Sequence, residues 1–420
     1  MSGPFAGLTV VEVGQFVVVP VCAMHLADGG AEVIKIEPIR GDAYRKSHPV
    51  VPGESRQFMA KNRGKQSLGL ALGAPGARDV VERLVAMADV LLVNISPAAI
   101  TKHGLGYEDV RAINPRLIYG GASAFGYRGA DADLPGMDGV AQARSGLIFS
   151  FGAERDGVPH HSEVMAADYA ASMLLFGGVV SALYARERTG LGQKVEVSLL
   201  GGALALQGNA LVHLDAQDTW RREFIDETLP MMRTAGGSLA ELDAARDHLR
   251  PDKVSTRQVM HRVVRTKDGY LAIGAGSDGA KASVYAVTGV EPTGDSGELL
   301  RRLDEAFVAE VTAHWVSALR ERGVPAAELR HVDEMLFDEH CIDEGLILAD
   351  EHPALGRYRA LGPPFRLSGT PMAPAPPSPA FASHSSSILR RLGYSTDEIT
   401  ELVDTSAVAV SGASSGVRGR

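Results

Sequence analysis

The chain is short of cysteine, of positive charge and of clustered metal-binding side chains, and each shortage closes off a class of function. Only Cys22 and Cys341 occur in 420 residues. They are too few and too far apart for a disulfide framework or a zinc cluster, which fits a reducing, cytoplasmic setting. Lys and Arg number 42 against 51 Asp and Glu, for a formal net charge of -9, and no basic stripe of the kind nucleic-acid phosphates demand is present. The opening MSGPFAGLTVVEVG has neither the basic start nor the cleavage site of a signal peptide. The adjacent His160 and His161 should diverge on a helix or strand, and His314, His331, His340 and His352 lack partners at metal spacing. No metal, nucleic acid or membrane is therefore expected as a partner.

What is present is a strand-helix alternation. Residues 8–13 form a β-branched run, 20–28 are helix-like, and 32–37 form a second strand, together a βαβ unit. Its first turn reads Gly14-Gln15-Phe16-Val17-Val18-Val19-Pro20, which cannot make the pyrophosphate cradle of a G-x-G-x-x-G turn. Strands at 67–72, 90–94 and 117–121, with helices at 74–88 and 107–113 between them, continue the pattern. The fold class read from this is α/β, an open parallel Rossmann-like sheet. Ligands should then lie beyond the carboxyl ends of its strands, at 14–19, 38–45, 94–97 and 123–125.

The character changes after residue 212. Residues 215–252 are charge-rich and weakly periodic, reading as a crossing segment. A hairpin at 262–265 and 270–273 turns on Lys267-Asp268-Gly269, and helices at 297–307 and 308–322 complete a smaller α+β domain. Gly274-Ala275-Gly276-Ser277-Asp278-Gly279 matches a dinucleotide turn in letters, but it follows a tight hairpin where a crossover unit is required. Residues 362–381 are extended and rich in Pro and Ser.

The stretch at 163–200, EVMAADYAASMLLFGGVVSALYARERTGLGQKVEVSLL, organises the rest. Asp168 is the only formally charged side chain from Val164 to Ala185. A run this apolar is long enough to be weighed as a transmembrane segment, but its polar flanks and the alternating strand that follows favour a buried helix. Asp168 is then either an acid held by first-turn N–H groups or a carboxylate nucleophile that the same dipole keeps ionised.

This helix, followed by ARERTGLGQKVEVSL, resembles the class III CoA-transferases, a family that includes carnitine and formate CoA-transferases and the alpha-methylacyl-CoA racemases. LADGGAEVIKIEP, NRGKQSLGL, ADVLLVN, LGYEDVRAINPRLIYGGASAFG, PGMDGVAQARSGL, TKDGYLAIG and the C-terminal ILRRLGYSTDEITEL extend the likeness over nearly the whole chain. The resemblance implies an interlocked, ring-like homodimer. It also implies a large domain of residues 1–212 that carries the nucleophile and is completed by 340–405, a linker and small domain at 213–339, and a disordered tail at 406–420.

The same resemblance implies acyl-CoA and a carboxylic acid as substrates, with no metal. Asp168 matches the nucleophile that forms an aspartyl anhydride and then an aspartyl-CoA thioester. Asp138 matches an active-site acid. Val17, Arg40, Leu70, Gly73, Asn94, Ile95, Lys102 and Met137 fall in the CoA-binding set. Asn94 matches the start of a CoA-contacting turn from which Ile95-Ser96-Pro97-Ala98 departs. Lys102 stands where an Arg often meets the nucleotide phosphates. Val17 to Val19 replace polar or glycine residues, and Pro38 and Gly73 stand where some members have basic contacts, leaving Arg40 or Arg63 as substitutes. The tetraglycine loop of formyl-CoA transferases has no counterpart at 256–262. Racemases carry a His at Met137, and methionine cannot move a proton, so transfer is preferred to the racemase alternative. The remaining alternative is a non-catalytic acyl-CoA-binding member.

Overall fold

The computed structural model describes residues 3–151, 154–250 and 259–411. The chain folds into two compact units, Met1–Val212 with Glu339–Arg420, and His213–Asp338.

In the first unit β1 (Thr9–Val13) leads through α1 (Val18–Asp28) to β2 (Glu32–Glu37), and α2 (Arg56–Asn62) precedes β3 (Lys65–Leu70). Next come α3 (Ala77–Met87), β4 (Val90–Val93), α4 (Pro97–Lys102), α5 (Tyr107–Ile113) and β5 (Ile118–Ser123). They are followed by α6 (Asp138–Arg144), α7 (Ala166–Thr189), β6 (Lys194–Ser198) and α8 (Leu199–Ala205). The six strands lie parallel in the order β6-β5-β4-β1-β2-β3. The chain builds outward from β1 to β3, then crosses back to β4 beside β1. That reversal leaves a crevice between the loops after β1 and β4, the place where such sheets bind ligands.

Alternation along each strand explains why both faces are covered. Val11, Val13, Ile34 and Leu68 point to one side and pack with Leu84 of α3 and with Ile388 and Leu402 from the C-terminal return. Val10, Val33, Leu92 and Ile118 point to the other and pack with α1 and α7. A strand buried on both faces is expected to be apolar nearly throughout; β4 is, whereas β1, β2 and β3 also bury Glu12, Lys35, Glu37 and Lys65.

α7 supplies Ala167, Ala171, Leu175, Val179 and Ala182 to that second layer, a stripe at helical spacing. Close approach is enforced at α8, where a Cβ on Gly202 would stand 2.7 Å from the Ala171 nitrogen and 2.8 Å from the Ala167 oxygen. By length and composition α7 could cross a membrane; here it packs on α1, β5, β6 and α8. The expected buried helix is buried along this stripe, while Met173, Leu174 and Tyr184 on its other side are 43%, 47% and 67% exposed.

The return segment has a further strand, Val408–Ala409, which pairs antiparallel with β3 through Leu70 and Gly69. The expectation of a disordered 406–420 tail is thus corrected at its start, where Ala407 and Val408 are buried; residues 412–420 lie outside the described residues. A two-residue strand is too short to show periodicity. The extended 362–381 stretch is pinned by Gly64 N–H to the Pro376 carbonyl (2.7 Å) and Ala373 N–H to the Asp28 carbonyl (3.0 Å).

The second unit holds a three-stranded antiparallel sheet in the order β7 (His261–Arg265), β8 (Tyr270–Gly274), β9 (Ala326–Glu328). Helices Asp278–Thr288, Ser296–Phe307 and Thr312–Glu321 cover it around Leu271, Leu303, Phe307, Trp315 and Leu319. The helix expected at 308–322 starts at Thr312, because Asp268 in the hairpin turn accepts the Thr312 N–H at 2.7 Å. The 215–252 segment is also more regular than its pattern suggests, with helices Thr219–Glu223, Leu229–Thr234 and Leu239–Leu249. A Ser238/Glu241 capping box starts the last of these. Of the 256–262 stretch, residues 256–258 lie outside the described residues.

Candidate active site

Asp168 is the third residue of α7 and only 8% exposed. Its backbone N–H donates to Asp138 Oδ1 at 3.0 Å. The other Asp138 oxygen accepts from Gln142 Nε2, and Gln142 is in turn held by the Ser162 N–H (3.0 Å) and carbonyl (3.2 Å). Asp138 therefore satisfies one of the N–H groups that a helix start leaves over. Both its oxygens are engaged. Among the described residues nothing hydrogen-bonds the Asp168 carboxylate itself.

That carboxylate faces a cleft of about 300 Å³ lined by Phe16, Val17, Asn94, Ile95, Met137 and Asp138. Burial, then the charge of Asp138, push its pKa from 3.8 up to about 7, and Lys61 pulls the other way. The helix dipole favours the ionised form, and burial works against it. A dipole contributes at most about 2 kcal/mol, whereas a displacement of this size corresponds to about 4 kcal/mol.

The loop after β1 forms the cleft wall and is held rigidly. Asn94 Oδ1 accepts the Gln15 N–H at 2.9 Å and its Nδ2 donates to the Gln15 carbonyl at 2.7 Å. Gly14 is needed beside this clamp, because a Cβ there would meet Val19 Cγ1 at 2.4 Å and Asn94 Oδ1 at 2.9 Å. Phe16 follows with φ of 67°, a left-handed conformation rare for an aromatic residue. Its ring meets Tyr44 edge-on at 5.5 Å. Tyr44 in turn donates its hydroxyl to Met165 Sδ at 3.6 Å and lies under Lys61 Nζ, 4.9 Å from the ring centroid. Burial first, and Asp168 next, push Tyr44 up to about 12.

A neighbouring cavity of about 400 Å³ is lined by Gly14, Pro38, Arg40, Leu70, Gly73 and His103, and Ile95 lines both cavities. The predicted set thus divides: Asp168, Asp138, Val17, Asn94 and Met137 at one cavity, Arg40, Leu70 and Gly73 at the other, and Ile95 at both. Lys102 is exposed at the end of α4 and lines neither. Arg63 cannot serve as a free cation, because Asp28 takes its Nε and Nη2 at 2.7 and 2.6 Å and the Leu361 carbonyl takes Nη1 at 2.7 Å. His160 and His161 do not diverge; they stack at 5.0 Å in a segment that is neither helix nor strand. Among the described residues no group of three or more His, Cys, Asp or Glu could hold a metal ion. Sequence reasoning reached Phe16 and Tyr44 only through the cleft ranges 14–19 and 38–45, and it missed Lys61, Gln142 and His103, which no local signal marks.

CoA-transferase family III matches residues 5–385. The chain belongs to that family. The succinyl-CoA:glutarate CoA-transferase of Mus musculus is 29% identical over 420 residues, covering 95% of this chain and 89% of that one. The acetyl-CoA:oxalate CoA-transferase of Acetobacter aceti is 32% identical over 341 residues, covering 79% and 82%. Among solved structures, a CAIB/BAIF family protein from Brucella suis superposes with a TM-score of 0.72 at 27% identity, covering 93% of this chain and 100% of that one. Rv3272 from M. tuberculosis gives 0.74 at 26% identity, covering 92% and 99%. This family III transferase therefore shares its α/β architecture with solved members, and its relatives are named as CoA-transferases acting on several acids.

Proposed function

We propose that the enzyme moves CoA from an acyl-CoA thioester to a carboxylic acid with Asp168 as the covalent nucleophile. The observation that carries this reading is a buried carboxylate, without a hydrogen-bond partner among the described residues, fixed on the first turn of a long helix and facing a cleft. An Asp168 oxygen attacks the thioester carbonyl carbon, the C–S bond breaks, and CoA leaves as thiolate. The thiolate attacks the Asp168 acyl carbon of the mixed anhydride and expels the donor acid as carboxylate. The acceptor carboxylate then attacks the aspartyl-CoA thioester, and the released thiolate takes the acceptor acyl group, restoring Asp168. A carboxylate is a weak nucleophile but its anhydride is strongly activated, so one hard exchange becomes several easier ones.

Asp138 acts here as a positioning residue, because its oxygens hold the Asp168 N–H and Gln142. Oxyanions would form beside the start of α1, which has no side-chain cap, and where Val17 and Val18 line the cleft. Arg40 and His103 are the residues suited to the CoA phosphates in the adjoining cavity. Met137 lines the Asp168 cleft with no group that moves a proton, which favours transfer over racemisation. The exposed apolar side chains of α7 suit burial against a second copy, as a homodimer requires.

Intact-protein mass spectrometry after incubation with acyl-CoA and hydroxylamine or borohydride tests the route. The expected result is a trapped product on Asp168 in the wild type and none in Asp168→Ala. Equal trapping in the variant, or α-proton exchange without any adduct, would contradict it.

A further inference from the structure

α7 begins without a cap of its own. Met165 holds its N-cap position and makes no side-chain capping bond, although an N-cap side chain ordinarily accepts the second or third N–H of the helix. Asp168 is that third residue, and its N–H donates instead to Asp138 Oδ1 on α6, at 3.0 Å. The main chain of the nucleophile is thus held from another helix.

Gln142 stands one turn after Asp138 on the same face of α6 and is completely buried. Its amide has no freedom of orientation. The Ser162 N–H can only donate, and does so to Oε1 at 3.0 Å; the Ser162 carbonyl can only accept, and does so from Nε2 at 3.2 Å. Nε2 therefore also meets Asp138 Oδ2 as a donor. Among the described residues both hydrogen-bond partners of the Asp138 carboxyl are donors, so a proton placed on it would find no acceptor. Ser162 Oγ accepts the Val164 N–H at 3.2 Å, which carries the clamp along the chain to the start of α7. All of these bonds lie within one chain.

We propose that Gln142 is a positioning residue: its amide, oriented by the Ser162 backbone, keeps Asp138 an obligate acceptor and so aims the first turn of α7, and with it the Asp168 carboxylate, at the acyl-CoA carbonyl. This inference rests on the CoA-transfer reading above. It adds a fixed polarity that runs from Ser162 through Gln142 and Asp138 to the nucleophile.

Polarity can be exchanged with little change of shape, which separates this role from packing. Gln142→Glu turns the donor that faces Asp138 into an acceptor, and Asp138→Asn puts an amide between two donors. The two together restore one donor facing one acceptor. The other charged and titrating groups that bear on the pair are Asp168 and Tyr169 of α7, Lys61 of α2, Tyr44, Asp133 in the cleft, and His161, whose ring lies against Gly139. All are left in place.

The probe is acetyl-CoA, succinyl-CoA or octanoyl-CoA with hydroxylamine, and intact-protein mass spectrometry follows the rate at which Asp168 is labelled, near pH 9 and across pH. In Gln142→Glu the saturating rate should fall about 100-fold, as misplacement of a reacting group predicts, with the half-saturating acyl-CoA concentration unchanged. Its acid limb should move to higher pH, because a like charge has been added. The double variant should be faster than either single variant, within about 10-fold of the wild type, with its limb back toward lower pH. Gln142→Met removes the donor without adding charge; it should lose about 10-fold or more and carries the test if the added carboxylate prevents folding. A wild-type rate in Gln142→Glu or Gln142→Met, or a double variant no faster than the single ones, with Asp168 still labelled in the wild type, overturns the inference and leaves the transfer reading standing. No label on Asp168 in the wild type with any of the donors overturns both.

Discussion

Two groups of buried charge lie close together in the first unit and are treated in opposite ways. Under the β1 loop, Glu12, Lys35, Glu37, Asp42, Arg45 and Lys65 are all at most 4% exposed. Lys35 reaches Glu12 at 2.7 Å and Asp42 at 2.9 Å, Lys65 reaches Glu12 at 2.7 Å, and Arg45 grips Glu37 at 2.7 and 2.8 Å. These three acids meet three bases, and Arg45 also stands 3.8 Å from a fourth buried acid, Glu54. In the cleft, Asp138 and Asp168 are almost as buried, yet Lys61 forms no ion pair with either among the described residues. Balanced charge serves structure, and Lys35 also donates to the Gly14 carbonyl at 2.8 Å, anchoring the cleft wall. Charge left uncompensated is a cost that a reaction can use.

The largest effect should come from unbalancing the first group. Lys35→Met strands Asp42 and leaves Glu12 with Lys65 as its one ion-pair partner among the described residues, and should cost about 3–5 kcal/mol in urea unfolding. The next comes from the second group, with the opposite sign. Asp168 binds its proton more tightly folded than unfolded, so its contribution to stability falls as pH rises from 3.8 through about 7. Asp168→Asn should therefore unfold at higher urea than the wild type near pH 8, by up to about 4 kcal/mol, with the gain vanishing near pH 4. Activity should be lost in the same variant.

Two smaller effects act on the Asp168 charge through its neighbours. Asp138→Asn removes the charge that, after burial, most raises Asp168. It should move the acid limb of the kcat/KM profile to lower pH. Lys61→Met removes the opposing cation and should move that limb to higher pH, by less. Both shifts can be read from kcat/KM measured across pH.

The parallel sheet was legible because its strands are apolar runs between helical patterns, and their carboxyl ends did point to both cavities. Asp168 stood out as a lone acid in an apolar helix. The balanced network was hidden: no local pattern shows that Glu12 and Lys35 are buried, or that the return segment covers that side of the sheet through Arg45 to the Pro379 carbonyl at 2.9 Å. Lys61 reaches the site from a segment more than a hundred residues before Asp168, and no local pattern marks it. The engagement of Arg63 was equally invisible, because its partner Asp28 lies 35 residues away on α1. Nor could the sequence decide whether Asp168 is ionised, since the dipole is a local property and burial is not.

The most direct test of the difference is the titration of Asp168 itself. Infrared difference spectra of carboxylate-labelled wild type against Asp168→Asn isolate its carboxyl band. The expected result is a protonated band that disappears with a midpoint near 7. A carboxylate already ionised near pH 4 would mean that the Asp168 site is as well compensated as the network beneath it.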